Sequence, residues 1–221
     1  MRKLLEPMIE SEAFQALLAH PGPRLARAEV PGHGYVVAAL AETLEAPVMA
    51  VAPGPREADR VARGAAAFLG DEQVALFPAW EALPGEGISP SPEIAARRAE
   101  AAHRARRAKG AFVLAMPVVA AVQRVVPSIG ERDPLRVRSG QEIAPDGLAE
   151  LLVDLGYART DLVMHRGEFA LRGGIIDVFP GTRSRPVRLE FLGDDVERIR
   201  EFAPSSQIST GPVDAIAVYP V

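Results

Sequence analysis

Cysteine is absent from all 221 residues, so neither a disulfide framework nor a thiolate metal site can form, which suits a reducing compartment. Lysine is nearly absent too. Lys3 and Lys109 are the only two, and arginine carries the rest of the positive charge. With alanine and proline abundant, that bias follows from a GC-rich coding sequence, so arginine content alone assigns no function. The apolar stretches are too short to cross a bilayer, and Val113–Val122 is broken by Pro117. Met1 opens no signal-peptide pattern, so the expectation is a soluble cytoplasmic protein with no membrane contact. Positive charge is not in excess either. The net charge is -4 and the pI near 5.7, which is not the balance of a dedicated duplex-DNA binder. No internal repeat or low-complexity tract is present.

What the chain has is apolar content, 48% of its residues, enough to bury a sizeable core. Two domains are expected, over 1–126 and 127–210, with 211–221 returning to the first as a strand. The first half alternates short β runs with helical ones: strands at Leu25–Val30, Val48–Ala52, Val74–Phe77 and Ala111–Met116, helices at Val36–Leu44, Pro55–Leu69, Pro92–Lys109 and Pro117–Val126. That alternation predicts an α/β domain, a parallel sheet covered by helices on both faces. Val126–Gly130 ends the pattern. Asp146–Gly156 then reads as a helix with Asp146 near its start and Gly156 as its stop. An inserted α+β domain with an antiparallel sheet follows, to about Phe202, and Asp214–Val221 reads as a last strand.

If Leu25–Val30 leads a nucleotide-type sheet, a phosphate loop belongs at 29–36, where G-x-x-x-x-G-K-[ST] lets backbone N–H groups, a lysine and a hydroxyl neutralise phosphate and hold magnesium. Glu29 occupies the first glycine slot, Tyr35 the lysine slot and Val36 the hydroxyl slot; Gly32 and Gly34 remain. A carboxylate at the entrance repels a triphosphate and nothing offsets its charge. The reading is a degenerate, non-binding loop with no cofactor.

Other constellations read as structural. Arg97, Arg98, His103, Arg104, Arg106, Arg107 and Lys109 on one predicted helix form a solvated face, with Glu93 and Glu100 as intrahelical partners. Trp80, between Pro78 and Pro84, reads as a packed cap on the sheet. The four histidines share no helical face, so no metal site is expected. No nucleophile motif is present, and Asp194–Asp195 reads as a turn, so no catalytic residues are assigned.

The remaining signal lies in Tyr157–Phe202, where arginines recur inside alternating strands at Phe169–Leu171, Ile175–Phe179 and Val187–Phe191, punctuated by Gly167, Gly173–Gly174, Pro180–Gly181 and Gly193. The spacing Tyr-x-Arg-x-Asp, Arg-Gly-x-Phe-x-x-Arg-Gly, Ile-Ile-Asp-Val-Phe-Pro and Arg-x-Glu-Phe-x-Gly-Asp resembles the UvrA-binding domain of UvrB. It is more similar still to the N-terminal module of the bacterial transcription-repair coupling factors (Mfd). About ten positions over some forty residues make this far more specific than a lone glycine motif.

The resemblance implies a docking module that binds UvrA and brings nucleotide excision repair to stalled RNA polymerase, the parent adding polymerase binding and an ATP-driven translocase on duplex DNA; the chain is then a fragment. Carried over by position, Arg159, Arg172, Arg166, Phe169 and Phe179 fall in the UvrA-binding motif, Phe169 packing inward. Ala170 stands where UvrB tends to have arginine. The aromatic hairpin with which UvrB probes lesions is replaced at Phe77–Pro92 by a short proline-rich stretch. The alternative is a UvrB-like ATPase or damaged-DNA-binding protein whose loop has drifted. A third reading, a domain that clamps the parent translocase at rest, is compatible with docking.

Overall fold

The computed structural model describes residues 2–82, 87 and 89–221, which divide into two compact units. The first comprises Met1–Ala79 with Ala101–Pro127, the second Trp80–Glu100 with Ser128–Val221. Leu83–Glu86 and Ile88 lie outside the described residues, and with them Pro84 and part of the proline-rich stretch.

In the first unit α1 (Glu6–Ile9) and α2 (Glu12–Ala19) precede α3 (His33–Leu44), β1 (Pro47–Ala52), α4 (Pro55–Leu69) and β2 (Val74–Leu76). The later part of α5 (Pro92–Arg107), β3 (Phe112–Pro117) and α6 (Val118–Val122) complete it. The strands lie in the order β1-β3-β2, both pairings parallel, because a parallel return needs a crossover of helical length. In α4, Ala58, Ala62, Ala65 and Leu69 recur at helical spacing and are buried, while Arg56, Arg60 and Arg63 face solvent. The stripe packs against Ala38, Ala39 and Ala41 of α3 and against Val113 and Ala115 of β3.

Three expectations change here. Leu25–Val30 is not a strand: 21–29 carry no regular structure and Leu25 is fully exposed. The described sheet ends at β1 and β2, and neither pairs with this segment, so its backbone has no ladder to join. The cover thins at the edge: Pro47, Met49 and Val51 alternate along β1 as exposed residues, while β3 is buried on both faces. The basic helix face is only partly solvated: Arg97 pairs with Glu93 at 2.9 Å, but Arg98 and His103 are buried.

The second unit holds β4 (Leu135–Arg138), α7 (Pro145–Asp154), β5 (Ala158–Arg159), β6 (Glu168–Arg172), β7 (Ile175–Val178), β8 (Val187–Leu192), β9 (Asp195–Phe202), β10 (Ser209–Pro212) and β11 (Ala215–Val218). Six strands form a sheet in the order β10-β9-β8-β7-β6-β5, antiparallel except for the parallel β5–β6 pair. Asp146 sits in the first turn of α7 after Pro145, and Gly156, at φ +89°, ends it. Leu148 and Leu152 of α7 pack on Phe169, Ile176, Leu189 and Ile199 from one sheet face.

The last strand departs from expectation. Instead of returning to the first unit, β11 pairs antiparallel with β4, and Val137, Ile216 and Val218 join the same core. Tyr157 ties this end together, donating to the Tyr219 carbonyl and accepting from the Gly181 amide, each at 3.2 Å; burial pushes its phenol up to about 12. Trp80 lies under the Arg98 guanidinium, 4.2 Å from the ring centre, and burial pulls that arginine down to about 10.

Candidate partner-binding face

Side chains alternate across a strand, so the register of β6–β9 decides which charges share a face. It aligns Ala170, Asp177, Arg188 and Arg200 in one row and Arg172, Ile175, Glu190 and Arg198 in the next. Both rows lie on the side away from the Phe169–Ile176–Leu189–Ile199 core. One end of that outer face has a small core of its own, Val163, Ala170, Phe179 and Phe202.

At its centre is Asp177, fully buried. Arg188 donates to it through Nε at 2.6 Å and Nη2 at 2.8 Å, and Arg172 through Nη2 at 2.7 Å. The Arg188 guanidinium lies 4.9 Å from the Phe202 ring centre and reaches the Gln207 carbonyl and side-chain oxygens at 3.5 Å. Hydrogen bonding to Asp177 holds Arg188 above the ordinary arginine range against the opposing effect of burial. One carboxylate faces two guanidiniums, so the cluster carries a surplus positive charge. Arg188 is 18% exposed and Arg172 is 50% exposed, which puts the surplus at Arg172. Beyond it Arg198 pairs with Glu197 at 3.1 Å and Arg200 lies 3.9 Å from Glu190, all part-exposed.

The other expected site residues are distributed around this face. Arg159, exposed on edge strand β5, is in register with Phe169 and so lies on the opposite side of the sheet from Arg172. Arg166 donates to Glu93 at 3.1 Å and to the Arg183 carbonyl at 2.9 Å, and its guanidinium is 5.2 Å from the Phe179 ring centre. Phe169 is fully buried and Phe179 nearly so, which makes both supports of the sheet. Glu168 shapes the loop that carries Arg166: its carboxylate accepts the Met164 and His165 amides at 2.8 Å and the His165 ring at 3.1 Å. Burial raises its pKa, but these bonds together outweigh that and leave it below the usual carboxylate range.

The phosphate-slot residues belong to the first unit, and Gly34 and Tyr35 serve its packing. Gly34 is buried on α3. Tyr35 donates to the Leu4 carbonyl at 2.8 Å and its ring lies 4.8 Å from that of Phe68. Gly32 donates to the Glu29 carbonyl at 2.8 Å in a single 3-10 turn, Glu29 is exposed, and Val36 is part-buried on α3. Among the described residues no three His, Asp or Glu come close enough to hold a metal, and no helix is long and apolar enough to cross a membrane.

Sequence reasoning did not single out Asp177, Arg188, Arg198 or Arg200 as site residues. A signal existed for the first two: an aspartate inside Ile-Ile-Asp-Val must be paired if buried, and the next strand offers an arginine.

Residues 135–221, which hold this whole face, match the family model of the UvrB interaction domain. The chain is a relative of the transcription-repair-coupling factors. It is 35% identical over 219 residues to that of Mycobacterium tuberculosis, covering 96% of this chain and 18% of the relative. The factor of Bacillus subtilis is 32% identical over 218 residues, again 96% and 18%, and that of Escherichia coli is 33% identical over 186 residues, 84% and 16%. The chain thus spans less than a fifth of the length of these relatives. Within the matched residues exposed arginines stand on the β6–β9 face and the β5 edge, and also at Arg136 and Arg138 of β4 and Arg185 before β8.

Proposed function

We propose that this chain is a non-catalytic docking module that binds UvrA through its UvrB interaction domain, within 127–210, and so recruits nucleotide excision repair to RNA polymerase stalled on DNA. The observation that carries the reading is the surplus arginine charge at Arg172, in the segment that matches the UvrB interaction domain. Arginine suits such a site because its planar fork pairs with a carboxylate and is weakly hydrated. Arg159 and Arg172 lie on opposite faces of one sheet, so a partner that contacts both seats itself over the β5 edge and presents acidic groups on either side. Arg166, Phe169 and Phe179 hold the site in shape, Phe169 from the core side of the sheet and Phe179 from the small outer-face core.

The absence of catalysis rests on the first unit. Tyr35 is committed to Leu4 and Phe68, and Gly34 to helix packing, so neither is arranged to hold a phosphate. Translocation on duplex DNA and polymerase binding belong to the rest of a coupling factor in the cytoplasm. The deciding experiment is calorimetric titration of the chain into purified UvrA. Saturable binding supports the docking reading, and its absence at tens of micromolar overturns it.

A further inference from the structure

Asp177 is satisfied by Arg188 alone, which occupies both carboxylate oxygens and is itself locked by Phe202 and Gln207. The third bond, from Arg172 Nη2, is therefore not needed to neutralise the buried charge. Its consequence falls on Arg172 instead. A half-exposed arginine at a strand end, beside the Gly173 turn, would otherwise sample many rotamers, and the bond fixes one of its nitrogens. The other guanidinium N–H groups make no hydrogen bond within the described residues. Ordering a long side chain beforehand removes a cost that association would otherwise carry.

On the reading that this module docks UvrA, we propose that Asp177 is a positioning residue: it holds the Arg172 guanidinium with its free edge outward, so that a UvrA carboxylate completes a cluster of two arginines and two carboxylates. The row neighbours fit this. Ile175, part-buried, packs beside Arg172 in the ladder, and Glu190 with its partner Arg200 stands beyond, so the open cation is confined to the Arg172 end. Partner recognition then depends on the arginine fork and not merely on its charge.

The test measures dissociation constants for UvrA with the 221-residue chain and four variants: Arg172→Lys, Arg172→Ala, Asp177→Asn, and the last two combined. A lysine keeps the charge but cannot donate inward and outward from one planar fork, so Arg172→Lys is expected to bind about tenfold more weakly. Asp177→Asn is expected to cost about tenfold with Arg172 present and less than about twofold when Arg172 is already alanine. Equal losses in both backgrounds would show that Asp177 acts through the fold, and parent-like binding by Arg172→Lys would show that charge alone suffices; either overturns the proposal. If circular dichroism shows that Asp177→Asn does not fold, the exposed Arg172→Lys variant decides. Failure of the parent chain to bind UvrA overturns the docking reading as well, whereas parent binding with an indifferent Arg172→Lys overturns only this inference.

Discussion

Gly34 and Gly64 bring α3 and α4 to backbone contact: a Cβ built on Gly34 would lie 2.7 Å from the Cα of Gly64. Gly34→Ala gains up to about 1 kcal/mol of helix propensity but forces the helices apart, and overpacking of this kind costs about 1–3 kcal/mol. The variant should melt several degrees below the parent. Gly32→Ala, with nothing within 4 Å of its Cβ, should not. Equal melting temperatures for Gly34→Ala and the parent would refute the packing role.

The same geometry bears on nucleotide. A ligand present at a hundred times its dissociation constant stabilises the native state by about 2.7 kcal/mol. Because Tyr35 and Gly34 are occupied by packing, millimolar Mg-ATP should leave the thermal midpoint where it is. A rise of several degrees would restore the ATPase alternative.

Arg188 and Arg172 share Asp177 but should separate cleanly. Removing Arg188 leaves the buried carboxylate with one half-exposed partner, and breaking a buried pair costs about 3–5 kcal/mol. Arg188→Ala should therefore lose at least about 3 kcal/mol in urea unfolding, while Arg172→Ala loses under about 1 kcal/mol.

Charge reversal tests the partner directly. Arg159→Glu and Arg172→Glu should each weaken UvrA binding by about thirtyfold or more, equivalent to about 2 kcal/mol, with circular dichroism unchanged. Arg185→Glu is the control, on the exposed turn before β8; rim charges contribute little. Arg183 does not serve, since it pairs with Glu201 and its carbonyl holds Arg166. If only Arg172→Glu binds weakly, the partner sits on the outer face and not over the β5 edge.

Glu168 ties the stability of its loop to pH. Its folded pKa lies below the ordinary glutamate value of 4.5, so its contribution is complete above that pH and fades as pH falls through the lower folded value. Glu168→Gln should cost about 1–2 kcal/mol at pH 7, and the gap between the two proteins should close on acidification below about pH 4. A gap that is constant between pH 3 and 7 would exclude the carboxylate as its source.

Much of the architecture was legible because it follows from local periodicity. The α4 stripe of Ala58, Ala62, Ala65 and Leu69 and the alternation of β6–β8 are written in spacing, and their bounds emerge close to expectation. Leu25–Val30 failed because a strand exists only with a ladder partner, which no local pattern can supply. The terminal strand was legible as a strand, but not as the partner of Leu135–Arg138, seventy-odd residues away.

The site divides along the same line. The sequence by itself determined which arginines stand in the stretch that matches the UvrB interaction domain, because residue type and order are chemistry enough for that. Only the tertiary structure decided that Arg159 and Arg172 lie on opposite faces, that Arg166 is tied to Glu93, and that Asp177 joins Arg172 to Arg188. Register across strands sets those relations, and it is fixed by how the whole apolar face of the sheet packs on α7, not by any residue's near neighbours.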